Sequence, residues 1–267
     1  MRLGAKYWLG ALAALVASAC GMHAQDAKTI VQQAASTQMA ADRDDQTHWR
    51  YVETEMDRSK YVVVETEHGA IRRHIEDDGQ PASAAALAQD DSNIQRFIHD
   101  PGSQQKQKQN SVHDDKESVE LLRLLPVAFL WKVESETPDS ITLSYKPDPN
   151  FDPPGMEARV MGSMTGTLVV TKPLSRIKTF KGRLNSDVTI GFGLLARIKA
   201  GSTFDIERRE VSPGHWQITQ THVHISGHAL FFKTIGTQED EVKSDFSLVP
   251  PGTTLEQAVG LMKEPAK

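Results

Sequence analysis

From Val127 to the C-terminus the chain carries turn chemistry at intervals of roughly a dozen residues, the spacing of a single antiparallel sheet or barrel. The turn signals are Lys172-Pro173, Asn185-Ser186, Ala200-Gly201, Ser212-Pro213-Gly214 and Ser226-Gly227. Between them apolar and polar residues alternate. The longest alternation predicts one strand from Met156 to Val170, with Met156, Ala158, Val160, Met164, Leu168 and Val170 on one parity. Glu157, Arg159, Ser163, Thr165 and Thr167 occupy the other. Period two over such a length means one dry face and one wet face. Gly162 and Gly166 supply bend points for a strand too long to stay flat. Val188, Ile190, Phe192 and Leu194 alternate in the same way.

The N-terminal half supplies what a one-sided sheet needs, a cover for its dry face. Apolar spacing predicts a helix over Gln25 to Asp45. Strands follow over Thr47 to Met56, Tyr61 to Glu67 and Ala70 to Ile75, the last two joined at His68-Gly69. Asp77-Asp78-Gly79-Gln80-Pro81 ends this sheet segment. A helical insertion at about 82–126 comes next: one helix from Ala82 to His99, then another from Gln104 to Leu125 with Pro126 near its end. Thr253-Thr254-Leu255-Glu256 matches a capping box and opens a closing helix to about Lys263. The expected fold is α+β and β-dominated: a single strongly curved antiparallel sheet, an unclosed β-barrel, with helices covering its concave face.

Residues 1–20 read as an export signal. Arg2 and Lys6 give a positive start, Tyr7 to Val16 is a short apolar run, and Ala17-Ser18-Ala19 offers small residues for cleavage. Ala17-Ser18-Ala19-Cys20-Gly21 also resembles a bacterial lipobox, in which Cys20 is lipidated, so two processing outcomes stand open. Cys20 is the sole cysteine of the 267 residues, so the 21–267 domain holds together without internal disulfides. A formal net charge of -5 gives no support to a nucleic-acid partner, which needs a concentrated basic face. The expected location is the periplasm or the outer membrane, with membrane association only through a lipid anchor.

The exported start, the initial helix, the hairpin YVVVETEHGAIRRHIEDDGQP and the series GTLVVTKPLSRIKTFKGRLNSDVTIGF together resemble the LolA/LolB-like superfamily. That group contains periplasmic lipoprotein carriers and outer-membrane lipoprotein acceptors. The resemblance implies helices lidding an apolar cavity, acyl chains of lipids or lipoproteins as ligands, no cofactor and no catalysis. Val160, Met164, Leu168, Phe192, Leu194, Trp216 and Ile218 are the candidate cavity residues. They lie on strands, on the parities assigned to the dry face. A loose lid makes that face a lipid pocket. A tight one makes it core, and the chain then becomes an interaction domain for an envelope protein.

Two chemical motifs compete with this reading. His222 and His224 share a strand face, and His228 lies just beyond Ser226-Gly227, a pattern that holds zinc or iron in some proteins. A polar sheet face next to solvent is the preferred account, so no metal is expected. The acid pairs Asp77-Asp78, Asp90-Asp91 and Asp114-Asp115 fall in turns or charged helices and read as solvated surface. Ser226 stands beside histidines but lacks the Gly-x-Ser-x-Gly elbow of a nucleophile.

Overall fold

The computed structural model describes residues 19–190, 196–229 and 233–263. Residues 1–18 of the expected export segment lie outside these, as does the side chain of Cys20. Helix α1 (Ala19–Asp44) precedes strands β1 (Trp49–Thr54), β2 (Lys60–Thr66), β3 (Gly69–Asp77) and the two-residue β4 (Gln80–Pro81). The insertion forms α2 (Ala84–Ile98) and α3 (Pro101–Ala128). Beyond it run β5 (Phe129–Glu136), β6 (Ser140–Pro147), the short α4 (Met156–Met161), β7 (Met164–Thr171) and β8 (Ile177–Leu184). The chain continues through β9 (Val188–Ile190), β10 (Ala196–Ile198), β11 (Thr203–Ser212), β12 (His215–Ala229) and β13 (Lys233–Leu248) to α5 (Leu255–Leu261).

All thirteen strands belong to one antiparallel sheet in the order β4-β3-β2-β1-β13-β12-β11-β8-β7-β6-β5, with β10 paired to β12 and β9 to β10. It stays unclosed, with β4 and β5 at its two ends, in keeping with the β-dominated fold class expected from the alternation. Registers carry one face across the sheet from Trp131 through Tyr145, Gly166, Gly182 and Phe204 to Val223 and Glu239. On that face α1 and the end of α3 seal a core of Ala27, Val31, Leu125, Leu143, Leu168 and Leu184. Val52, Val62, Val64 and Ile71 point the opposite way and pack under α2 and α5 with Ile94, Leu255 and Met262. The helices therefore pack in two groups, α1 with the end of α3 over the first core and α2 with α5 over the second. No helix of the described residues is long and apolar enough to cross a membrane.

Four local expectations change. The predicted strand from Met156 is a helix up to Met161, and only Met164–Thr171 is extended. Met, Glu, Ala and Arg are good helix formers, Pro153-Pro154-Gly155 ends the preceding segment, and Ala158 and Met161 bury one face at helical spacing. Over six residues the two periods cannot be told apart. Ser226-Gly227 is no turn, because β12 runs straight through it against β13. The final capping box is one residue later than expected: Thr254 caps with Gln257, while Thr253 donates its hydroxyl to Pro250 O at 2.6 Å. Finally, Asp78 and Gly79, at φ 46° and 80°, fold Gln80–Pro81 back onto β3 as a tight hairpin instead of ending the sheet.

Candidate binding cleft

Of the seven apolar residues expected to line a cavity, three converge and are packed. Met164 is 3% exposed and Leu168 is fully buried, both in the core beneath α1. Val160 sits on α4, not on a strand, and packs partly buried against the same core. Phe192 and Leu194 lie outside the described residues. Ile218 is half-buried on β12 opposite Arg208, and Trp216 lies opposite Glu210. These two stand apart from the residues of that core.

Trp216 instead lines an open cleft of about 600 Å³ at one end of the sheet. Two turns and a strand build it: β6 begins there with Asp139 and Ser140, the β7–β8 turn brings Thr171, Lys172 and Leu174, and β11 adds Glu207 to Glu210. Most of the charged groups are already engaged. Lys172 pairs with Glu136, Arg209 with Glu207 at 2.6 Å, and Glu210 accepts from Gly214 N at 2.7 Å. Lys178, also at the wall, has no ion pair among the described residues. Leu174 is 54% exposed, and the buried indole Nε1–H of Trp216 has no acceptor among the described residues. Charged groups of both signs, an exposed leucine and an aromatic ring thus surround one opening.

Behind the cleft stands Arg176, 9% exposed, in the turn that also carries Thr171. Its guanidinium lies 5.8 Å from the centroid of the Trp216 ring, and its Nε donates to Gln38 Oε1 at 3.3 Å. Gln38 donates onward to Asp42 at 2.7 Å, and Asp42 accepts from Arg208 at 3.4 Å. This chain of polar contacts ties α1 to the β7–β8 turn and β11. Burial lowers the pKa of Arg176; Asp42 opposes that shift and Arg208 adds to it. The sequence contains Lys172, Arg176, Lys178 and the Arg208-Arg209 pair in plain view, yet nothing in their spacing says that the β7–β8 turn and β11 meet.

The histidine motif resolves differently. His222 Nδ1 lies 2.8 Å from Asp240 Oδ1 and His224 Nε2 lies 2.9 Å from both Asp240 oxygens, across the β12–β13 ladder. Hydrogen bonds from His224 and then His222 pull the Asp240 carboxyl down to about 2. His228 occupies the same strand, but its side chain is outside the described set. Among the described residues no group of three or more His, Cys, Asp or Glu is placed to hold a metal. Ser226 is exposed in mid-strand.

Of the acid pairs, Asp90-Asp91 is structural, not merely solvated. Asp90 accepts from His74 N at 2.7 Å and lies 2.8 Å from its Nδ1, and Asp91 pairs with Arg73 at 2.7 Å. Both fasten α2 along the outer edge of β3, where free backbone groups otherwise face solvent. On the other side of the sheet Glu53 is buried beside Arg72 at 3.3 Å and Lys243 at 3.9 Å, and burial, then Glu241, raises its pKa.

No family model, no curated protein and no solved structure matches the chain.

Proposed function

We propose that the chain is a non-catalytic binding protein for an amphipathic, acyl-bearing ligand, held at the cleft beside Trp216 and used outside the cytoplasmic membrane. The observation that carries this reading is the cleft itself: about 600 Å³, within the usual range of small-molecule sites, with Leu174 and Trp216 offering apolar surface among charged groups of both signs. The ligand class follows the resemblance to LolA/LolB-like proteins, but the site moves. Met164 and Leu168 are core residues, so the cargo lies at the end of the sheet rather than beneath α1. Apolar burial at about 25 cal/mol per Å² supplies affinity, and no cofactor is needed. Delivery falls to the 1–20 segment, with Cys20 either lipidated as an anchor or lost on cleavage.

Native mass spectrometry with lipid extraction on the purified protein tests this. A stoichiometric acyl lipid or lipoprotein fragment, lost in Leu174→Asp, supports the reading. A clean mass that stays unchanged after incubation with phospholipids and acylated peptides overturns it. A second reading then takes over, an interaction domain for an envelope partner. It is favoured by the closed packing of Leu143, Leu168 and Leu184 and by the exposed Gln- and Lys-rich length of α3 between 104 and 118.

A further inference from the structure

Strand β13 is longer than the strand beside it. It pairs with β1 only from Val242 to Leu248, because β1 ends at Thr54 opposite Val242. From Lys233 to Glu241 it pairs with β12 alone, in unbroken register. Alternate residues of a strand turn their amide and carbonyl to opposite sides. In Lys233–Glu241, the groups turned away from β12 have no backbone partner among the described residues. Such a border invites pairing with another chain, and folded proteins blunt it with proline, a bulge or a covering element. The other borders carry these devices: Pro81 closes β4, α2 is fastened along β3, and β5 has a register shift between Val133 and Ser135. Lys233–Glu241 has neither proline nor register shift.

What the border does carry is negative charge. Glu239, Asp240 and Glu241 are consecutive on it, and Glu53 and Glu55 stand where β1 gives out. Asp240 is held on one face by His222 and His224. On the other face Arg72 lies 3.3 Å from Glu53 and 2.7 Å from Glu55, and Lys243 lies 3.9 Å from Glu53 and 3.5 Å from Glu241. Glu239 has no ion pair among the described residues, and burial, then Glu241, raises its pKa. Carboxylates thus outnumber their cations beside a strand edge with free backbone groups. A second copy pairing through the same segment would bring one lysine, Lys233, against three acids. A strand rich in basic side chains complements the border better, since opposite charges across a ladder attract and like charges repel.

We infer that the Lys233–Glu241 border of β13 takes up an extended, basic segment of a partner protein as an added strand. Main-chain hydrogen bonds to the free border supply affinity, and alternate lysines or arginines set against Glu239 and Glu241 supply selectivity. None of these residues lines the cleft, so this surface and the acyl site stand or fall separately.

Amide hydrogen exchange of the full chain tests this with three peptide probes, Lys-Thr, Glu-Thr and Lys-Pro, each repeated four times. Lys-Pro keeps the charge of Lys-Thr but cannot pair as a strand. Saturating Lys-Thr is expected to slow exchange of the Lys233–Glu241 amides about tenfold or more, while Glu-Thr and Lys-Pro leave them unchanged. Replacing both acids, Glu239→Gln with Glu241→Gln, should weaken Lys-Thr about fivefold at low salt, the scale of two cross-strand ion pairs. The comparison of peptides is made on the parent chain, so it decides even where that variant folds poorly. Equal protection by Lys-Thr and Lys-Pro would mean charge without strand pairing, and equal protection by Lys-Thr and Glu-Thr would mean that the acids do not select. Either result overturns the inference, and so does protection by none of the three. Concentration-dependent protection in the double variant alone, with none from Lys-Thr in the parent, also overturns it, leaving the acids as a guard against self-pairing.

Discussion

Asp240 gathers two imidazoles onto one carboxylate, and the sign of the linkage follows from that geometry. Its folded pKa of about 2 lies below the usual value of 3.8, so the folded protein releases this proton more readily than the unfolded chain. The stabilisation is complete above pH 3.8 and is lost as pH falls toward 2. Asp240→Asn should therefore lower the melting temperature at neutral pH and flatten the acid limb between those values; an unchanged limb in pH-dependent melting would mean the histidines do not hold the carboxylate. Glu53 runs the other way. Burial raises its pKa above 4.5, so the folded state binds the extra proton, and its stability contribution falls as pH rises from 4.5 through the raised value. Glu53→Gln should shed part of that slope in denaturant midpoints measured from pH 4 to 7, although Arg72 and Lys243 lose a partner. The slope of the parent retained in full would place the titration elsewhere, on Glu65 or Glu239, which burial also raises. The His-x-His pair is legible in the sequence because two residues on one strand must share a face. Asp240 is not, since only the β12–β13 register brings it opposite His222.

Elements show the same division between local and non-local information. The three long helices announce themselves by composition and spacing, and so do most strands, because turn residues mark their ends. Segments of six residues do not, and α4 is the case in point: Met156, Ala158 and Val160 fit either period, so tertiary packing of Ala158 and Met161 decides. Gly162 and Gly166 read alike as bends, yet their roles differ. Gly162 closes α4, whereas Gly166 lies where β6, β7 and β8 crowd together. Tyr145 donates its hydroxyl to Lys181 O at 2.9 Å, across Gly166. A Cβ at Gly166 would collide with Lys181 O and meet the Tyr145 hydroxyl at 2.7 Å. Gly166→Ala should thus cost about 1–3 kcal/mol by forcing backbone apart. Urea unfolding measures it, and a variant as stable as the parent would show that the strands can separate there without loss.

At the scale of the whole molecule, one continuous sheet joins two aliphatic cores that share no residue, with an aromatic cluster of Trp49, Tyr51, Tyr61 and Val63 as a third. Leu168 and its neighbours are sealed by α1 and the end of α3 on one face; Val64 and Ile71 are sealed by α2 and α5 on the other. Backbone pairing through β13, β12 and β11 connects them, and so does α3, whose Gln104 and Gln107 bond Phe97 O, Ile98 O and Ala70 beside the second core while Leu125 at its other end lies in the first. Energetic coupling between sites needs shared contacts or a shared network, and Leu168 and Ile71 belong to no common cluster. Leu168→Ala empties part of the first core and should cost about 2–5 kcal/mol, and Ile71→Val trims the second for about 0.5–1.5 kcal/mol. The double variant should lose the sum to within about 0.5 kcal/mol, in one denaturant transition if the sheet unfolds as a unit. An interaction term above about 1 kcal/mol would mean that strain passes through the central strands from one core to the other. Two separate transitions would instead mean that the β1–β3 end with α2 and α5 opens by itself. The cleft, built on the β5–β6 and β7–β8 turns and on β11, lies at the first core's end of the sheet, so on that outcome ligand would protect only the Leu168 transition.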